Sequence, residues 1–260
     1  MSGKQEIEEY AQRLRKRITR DDRELFHVHT RRCGHAGDYE DREYIDRAIM
    51  MGATKITFTD HAPFPGDPFG SRMRMRDLPE YISSMKNLQK EYLGQIEIDA
   101  GLEIEYLRDF HDYYKALRDM DGIGYMLLGQ HIYEIEPKRY NFSLPPEEKA
   151  HTEMTGCGKA IIEGIQSGFF DAVAHPDRIF RRRKEWDAEA EHIAREIIEA
   201  VCRAHIPLEV NESSIRKKNQ FRPEFWEIAE EMNVSYLHGL DAHSPDELEY
   251  RRSSTDRRSK

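Results

Sequence analysis

The chain is poor in cysteine, in long apolar runs and in excess positive charge, and each shortage excludes a class of protein. Its three cysteines in 260 residues, Cys33, Cys157 and Cys202, are odd in number and widely spaced, which argues against a disulfide framework. A run of about 18 apolar residues is missing, so no membrane-spanning helix is expected. The opening MSGKQEIEEY lacks the apolar core of a secretory signal. A formal net charge of −9 speaks against a general nucleic-acid binder, which carries an electropositive footprint. The basic groups that do cluster, Arg72, Arg74 and Arg76 and the run Arg181-Arg182-Arg183-Lys184, are local. These absences point to a soluble, cytoplasmic protein with neither membrane nor nucleic acid as partner. They leave its oligomeric state open.

What is present is 38% hydrophobic and 34% charged sequence, enough for one large α/β domain. Residues 1–22 form an amphipathic lead-in helix, with Ile7, Tyr10, Ala11, Leu14 and Ile18 at helical spacing. Strand-like segments follow at 25–30, 55–60, 96–104, 125–131, 171–175, 207–211 and 235–241. Helical stretches lie between them near 40–51, 78–93, 109–119, 147–167, 187–204 and 223–232. Asp77 and Asp187 are placed as N-caps, and Gly52, Gly94 and Gly168 as C-terminal glycines. Seven β-then-α units favour a parallel sheet with crossover helices. With polar residues at nearly every strand end, a distorted (β/α)7 TIM-like barrel in a single domain over 23–245 fits better than an open sheet with one switch point. The basic 246–260 is expected to be a disordered tail.

Seven of the twelve histidines fall at the ends of these strands or just past them: His27, His29, His35, His61, His131, His175 and His243. Glu103 and Asp241 stand at two further such places. Neutral imidazole and carboxylate are ligands for borderline and hard divalent ions, so nine candidates at repeated strand ends suggest one multimetal centre. Strand alternation puts His27 and His29 on one face, with Val28 turned away, and Asp241-x-His243 repeats that spacing. A carboxylate can bridge two cations where an imidazole cannot. His111, His151, His192 and His205 sit on helical or turn segments and are expected to be ordinary surface or core residues. His238, inside the last strand, is expected to be structural.

The motifs FHVHTRRCGHAG, TFTDHAP, GLEIEY, LGQHIY, AHPD and GLDAHS, in order from about His27 to Pro245, resemble the polymerase-and-histidinol-phosphatase (PHP) family. More narrowly they resemble its histidinol-phosphatase branch, as does the loop SRMRMRDLPEYISSM after His61. The resemblance implies a distorted seven-stranded β/α barrel holding up to three ions, zinc, manganese or iron. It assigns His27, His29, Glu103 and Asp241 to one ion. Glu103, His131 and His175 go to a second, with Glu103 bridging, and His35, His61 and His243 to the third. Two departures stand out: the basic HPDRIFRRRK after the fifth strand, and the lack of paired tyrosines in the helix from Met154.

Clustered divalent ions suit phosphate-ester hydrolysis. They lower the pKa of a bound water towards roughly 7 and neutralise charge on phosphoryl oxygens, so the expected step is in-line attack by metal-bound hydroxide with no covalent enzyme intermediate. Glu103 then acts as a bridging ligand. Guanidinium forks suit phosphate: Arg178 is the first candidate, with Arg72, Arg74 and Arg216 behind it and Arg181 to Arg183 expected to be solvated. Asn211 is either a substrate contact or a strand-ending turn residue. Glu105, Tyr106 and Tyr133 follow the ligand motifs and are candidates for a cationic substrate group. Cys33 is counted as neither ligand nor nucleophile. The expected activity is a phosphomonoesterase acting on a small phosphorylated metabolite, first of all L-histidinol phosphate. The alternatives are a nucleotide or sugar phosphatase, a PHP-type nuclease and a non-catalytic metal-bound module.

Overall fold

The computed structural model describes residues 3–18, 23–217 and 219–248. These fall into two compact units, one made of 23–100 with 240–248 and the other of 3–18 with 101–239. The tail expected over 246–260 lies outside the described residues from 249 on. Residues Pro245–Leu248 form a 3-10 turn that buries Leu248.

In the unit of 23–100 with 240–248, β1 (Glu24–Val28) pairs in parallel with β2 (Lys55–His61), and β3 (Glu97–Ile104) begins as the next strand. β2 is buried from Ile56 to His61, as a parallel strand covered on both faces must be. Its crossover partner α2 (Asp41–Met50) follows an N-terminal helix α1 (Gly3–Arg15) in chain order and turns Tyr44, Ile45 and Ala48 inward. α3 (Leu78–Glu91) likewise buries Leu78, Tyr81, Met85 and Leu88; this is the 3–4 spacing of an amphipathic stripe. The chain from 240 onward runs beside β1. Leu240 N–H donates to the Phe26 carbonyl, Ala242 N–H to that of His27, and His29 N–H to that of Ala242.

In the other unit, the second half of β3 pairs with β4 (Tyr125–Leu128). A hairpin follows, β5 (Glu134–Glu136) with β6 (Arg139–Tyr140). The parallel ladder then continues from β4 through β7 (Ala172–Val173) and β8 (Leu208–Asn211) to β9 (Tyr236–Gly239). Its helices are α4 (His111–Arg118), α5 (Pro146–Ser167), α6 (Ala188–Ala204), the short α7 (Glu212–Lys217) and α8 (Pro223–Glu231). α1 belongs here too: Tyr10, Ala11 and Leu14 are buried, and Arg15 clamps Glu212 through Nε and Nη2 at 2.6 and 2.7 Å. Among the described residues no helix is long and apolar enough to cross a membrane.

Several local expectations need correction. Asp77 makes no side-chain cap, because a 3-10 turn over Met75–Asp77 leads straight into α3. Asp187 does cap α6, accepting from Ala190 N–H at 2.9 Å, and Gly168 ends α5 at φ +74°. β4 stops at Leu128 rather than 131, and β7 is only two residues long. The hairpin and α7 have no counterpart in the predicted elements. The run Arg181 to Arg183 is partly solvated, with Arg182 exposed, but it is also paired: Arg181 and Arg182 with Glu153 on α5, and Arg183 with Asp187.

Candidate metal centre

Within the unit of 23–100 with 240–248, six of the nine predicted ligands converge. His27 Nε2 and His29 Nε2 are 3.0 Å apart, and Asp241 Oδ1 lies 3.4 Å from His29 Nε2 and 3.9 Å from that of His27. The His29 ring is 4.6 Å from His61 and 4.4 Å from His243, centroid to centroid. His35 sits 5.2 Å from His61 and 4.8 Å from His243. Ligand atoms of His27, His29 and Asp241 lie within 4.8 Å of one another, as do those of His29, His61 and His243.

Simple strand alternation is not what brings His27 and His29 together. The β1–β2 register slips between Phe26 and Val28, which makes His27 the extra residue of a bulge. Its φ of +65° lies in the left-handed region, and such bulges re-aim a side chain beside functional sites. Asp241 has φ +51°. It therefore lies past the end of β9 and not within a regular strand. Asp60 is buried and accepts from Thr30 N–H at 2.6 Å and Thr30 Oγ1 at 2.7 Å, pinning the turn just after His29.

The histidine pair His35 and His243 tests whether a cation belongs here. Nδ1 of His35 donates to the Cys33 carbonyl at 3.2 Å, and Nδ1 of His243 to the Asp241 carbonyl at 3.0 Å. A carbonyl only accepts, so each ring carries its proton on Nδ1. With both rings neutral, the two Nε2 atoms face each other, lone pair to lone pair, at 2.9 Å. A cation between them relieves that repulsion. Burial, with the His29 imidazole beside it, lowers the His243 pKa to about 4, whereas the contact with Cys33 raises that of His35, so a proton at this contact would sit on His35. A divalent ion fits the donor set. Cys33 also lies inside this cluster, its Sγ within 4.8 Å of nitrogens of His35 and His243. Burial works to raise its pKa, but hydrogen bonds with His29 and His35 prevail and bring it to about 7.

In the other unit, Glu103, His131 and His175 are gathered at the ends of β3, β4 and β7. His175 Nε2 is 2.8 Å from Glu103 Oε1, and His131 Nε2 is 3.8 Å from it. Glu103 is buried, and the space for its carboxylate exists because residue 129 is glycine: a Cβ there would overlap Oε1. Burial lowers the His131 pKa, keeping the ring neutral as a ligand must be. Glu105, a predicted substrate contact, is fully buried with Oε1 3.3 Å from His131 Nδ1. It stands behind a candidate ligand, where carboxylates are common at metal sites. The alternation of Glu103-x-Glu105 was the available signal for that role.

The predicted substrate residues are placed less uniformly. Arg178 is half-buried beside this group, its Nη1 donating to His131 Nε2 at 3.3 Å, while its buried Nε has no hydrogen-bond partner among the described residues. Arg72 lies over the rings of Phe64 and Phe69, and Arg74 and Arg216 are exposed. The Asn211 side chain serves its own turn: Oδ1 accepts from Ser214 N–H at 2.8 Å, and Nδ2 donates to Glu209 at 3.0 Å. Tyr133 packs on α5, its hydroxyl 2.5 Å from Thr152 Oγ1, and Tyr106 stacks on Tyr114. His238 pairs with Glu212 at 2.7 Å, a structural contact as expected. His192 faces Glu196 at 3.5 Å, and His111 packs edge-on against Phe169.

The PHP domain family model matches residues 26–213. The chain belongs to the PHP-domain family. Bacillus subtilis histidinol-phosphatase is 26% identical to it over 255 residues, covering 86% of this chain and 94% of that one. A crystal structure of Lactococcus lactis histidinol phosphate phosphatase, complexed with zinc, L-histidinol and phosphate, superposes with a TM-score of 0.67 at 21% identity, over 87% of this chain and 90% of that one. A solved Listeria monocytogenes chain, provisionally assigned as a histidinol phosphatase, gives a TM-score of 0.72 at 18% identity, over 90% and 99%. The likeness shows the fold: this PHP-domain chain has the parallel α/β, TIM-like fold of these proteins.

Proposed function

We propose that this chain is a metal-dependent phosphomonoesterase that converts L-histidinol phosphate to L-histidinol and phosphate. The observation that carries the reading is the His35–His243 pair, whose Nε2 atoms face each other at 2.9 Å amid further imidazoles and a carboxylate. The names of the similar enzymes support the substrate. His27, His29 and Asp241, with His35, His61 and His243, would hold ions on one set of elements, and Glu103, His131 and His175 on another. Bound divalent ions supply Lewis acidity, acidifying water and neutralising charge on phosphoryl oxygens.

The protein's own groups do the rest. Glu105 sets a carboxylate 3.3 Å from His131 Nδ1, a negative charge behind the ring. Asp60 fixes the backbone after His29 through Thr30. Arg178 offers a guanidinium edge to a phosphoryl group, which it can take bidentately. Arg178 would orient phosphorus for in-line attack by water, the P–O bond to the alcohol breaking and the water's proton passing to the departing oxygen. Initial rates of phosphate release from a panel of nucleotide, sugar and amino-alcohol phosphates, with zinc, manganese or iron added, test this. The highest kcat/KM is expected for L-histidinol phosphate; brisk turnover of unrelated esters with L-histidinol phosphate among the poorest would overturn the assignment.

A further inference from the structure

His175 adopts a backbone that proteins rarely allow. Its φ is +29° and ψ +57°, in the left-handed region that disfavours a side chain, and Pro176 follows, whose ring crowds helical conformations of the residue before it. Something must hold it there. Glu209, fully buried in the middle of β8, uses one oxygen to do so: Oε2 accepts from the His175 backbone N–H at 2.9 Å and from Asn211 Nδ2 at 3.0 Å. Its carboxylate fits only because residue 239, on β9, is glycine, since a Cβ there would overlap Oε1. The same device recurs at Glu103 and Gly129, and Glu103 meets the other end of His175, the ring Nε2, at 2.8 Å. His175 is thus gripped at its backbone by one glycine-accommodated carboxylate and at its imidazole by another.

We propose that Glu209 is a positioning residue for His175, acting as a hydrogen-bond acceptor that locks the ligand's strained backbone so that its imidazole is aimed before any ion arrives. This rests on the reading of His175 as a metal ligand. It makes the LEVN strand a part of the metal site's support although none of its side chains is a proposed ligand.

Verified metal-free protein titrated with Co2+ provides the test, read by visible absorption and by the number and affinity of ions bound. Glu209→Met removes the acceptor at similar volume. Folded variant is expected to bind one equivalent about 10- to 100-fold more weakly, the usual cost of losing an outer-shell partner, with a changed cobalt spectrum. Glu209→Gln can place its amide oxygen where Oε2 stands and is expected to match the parent protein. Parent-like affinity and spectrum in Glu209→Met would overturn the proposal, and a loss in Glu209→Gln as large as in Glu209→Met would overturn the acceptor mechanism. Should Glu209→Met fail to fold, Asn211→Asp carries the test. It keeps the acceptor for Ser214 but sets an oxygen against Oε2, so the same weakening is expected and its absence overturns the proposal. His175→Ala run in parallel separates the two ideas. If it leaves all Co2+ binding intact, the ligand reading fails; if it loses an ion that Glu209→Met retains, only the positioning role fails.

Discussion

A single added carbon at Gly129 should disable the Glu103 carboxylate. A Cβ built there lies 2.5 Å from Cγ and Cδ of Glu103 and overlaps Oε1, whereas ordinary contact begins at 3.4 Å. The carboxylate must therefore retreat by about 1 Å. Its 2.8 Å contact with His175 Nε2 then passes beyond hydrogen-bond range, and metal ligands tolerate only about 0.2 Å of misplacement. Displacement on this scale costs on the order of 100-fold in rate, or about 3 kcal/mol of transition-state stabilisation. Overpacking adds about 1–3 kcal/mol of lost stability. Gly129→Ala should therefore show lowered metal content by elemental analysis, kcat/KM reduced about 100-fold and an earlier urea midpoint. Gly70→Ala is the control, since a Cβ there meets nothing within 4 Å. A Gly129→Ala protein with full metal content and kcat/KM within about twofold of the parent would refute the reasoning.

Arg178→Ala should leave metal content unchanged while lowering kcat/KM about 10- to 100-fold, as expected for losing a hydrogen bond to a charged group; equal kinetics would remove Arg178 from the substrate site. Glu103→Gln should impair metal binding and turnover together, and near-normal values for both would remove its bridging role. Glu212 gives a pH signature away from the ligands. Burial raises its pKa, but hydrogen bonds from His238 and Arg15 outweigh that and bring it to about 2, from 4.5. A carboxylate depressed on folding contributes stability above its unfolded value, and that contribution fades as pH falls from 4.5 towards 2. Glu212→Gln should therefore be less stable by up to about 3 kcal/mol at neutral pH, with the gap closing across that window in denaturant titrations. A gap independent of pH would show that the ionised form is not what matters.

The strands and crossover helices were legible because buried parallel strands leave dense apolar runs and the helices a 3–4 stripe. The ligand residues were legible because imidazoles recur where those runs stop. What placed them was harder to read. Period-two alternation put His27 and His29 on one face, but their meeting depends on a bulge with His27 at φ +65°, and a backbone angle at one residue leaves no periodic trace. Asn211 at a strand end suits either a substrate contact or a turn, and only the Ser214 hydrogen bond shows the turn. The pairing of Arg181 and Arg182 was not legible because Glu153 is far away in sequence on a helix whose charge pattern is unremarkable. Glu209 was invisible for the opposite reason: a lone acid in LEVN reads as a solvent-facing strand position, and only the glycine on the next strand makes room for it inside. Gly129 and Gly239 are ordinary glycines until the carboxylates beside them are seen.

Metal dependence of turnover bears most directly on the proposed chemistry. Protein stripped by chelation, with its residual metal counted, should release no phosphate from L-histidinol phosphate. Stepwise return of zinc, manganese or iron should restore turnover in proportion to ions bound, up to three per chain as the family resemblance implies. Full activity in protein verified to be metal-free would contradict it.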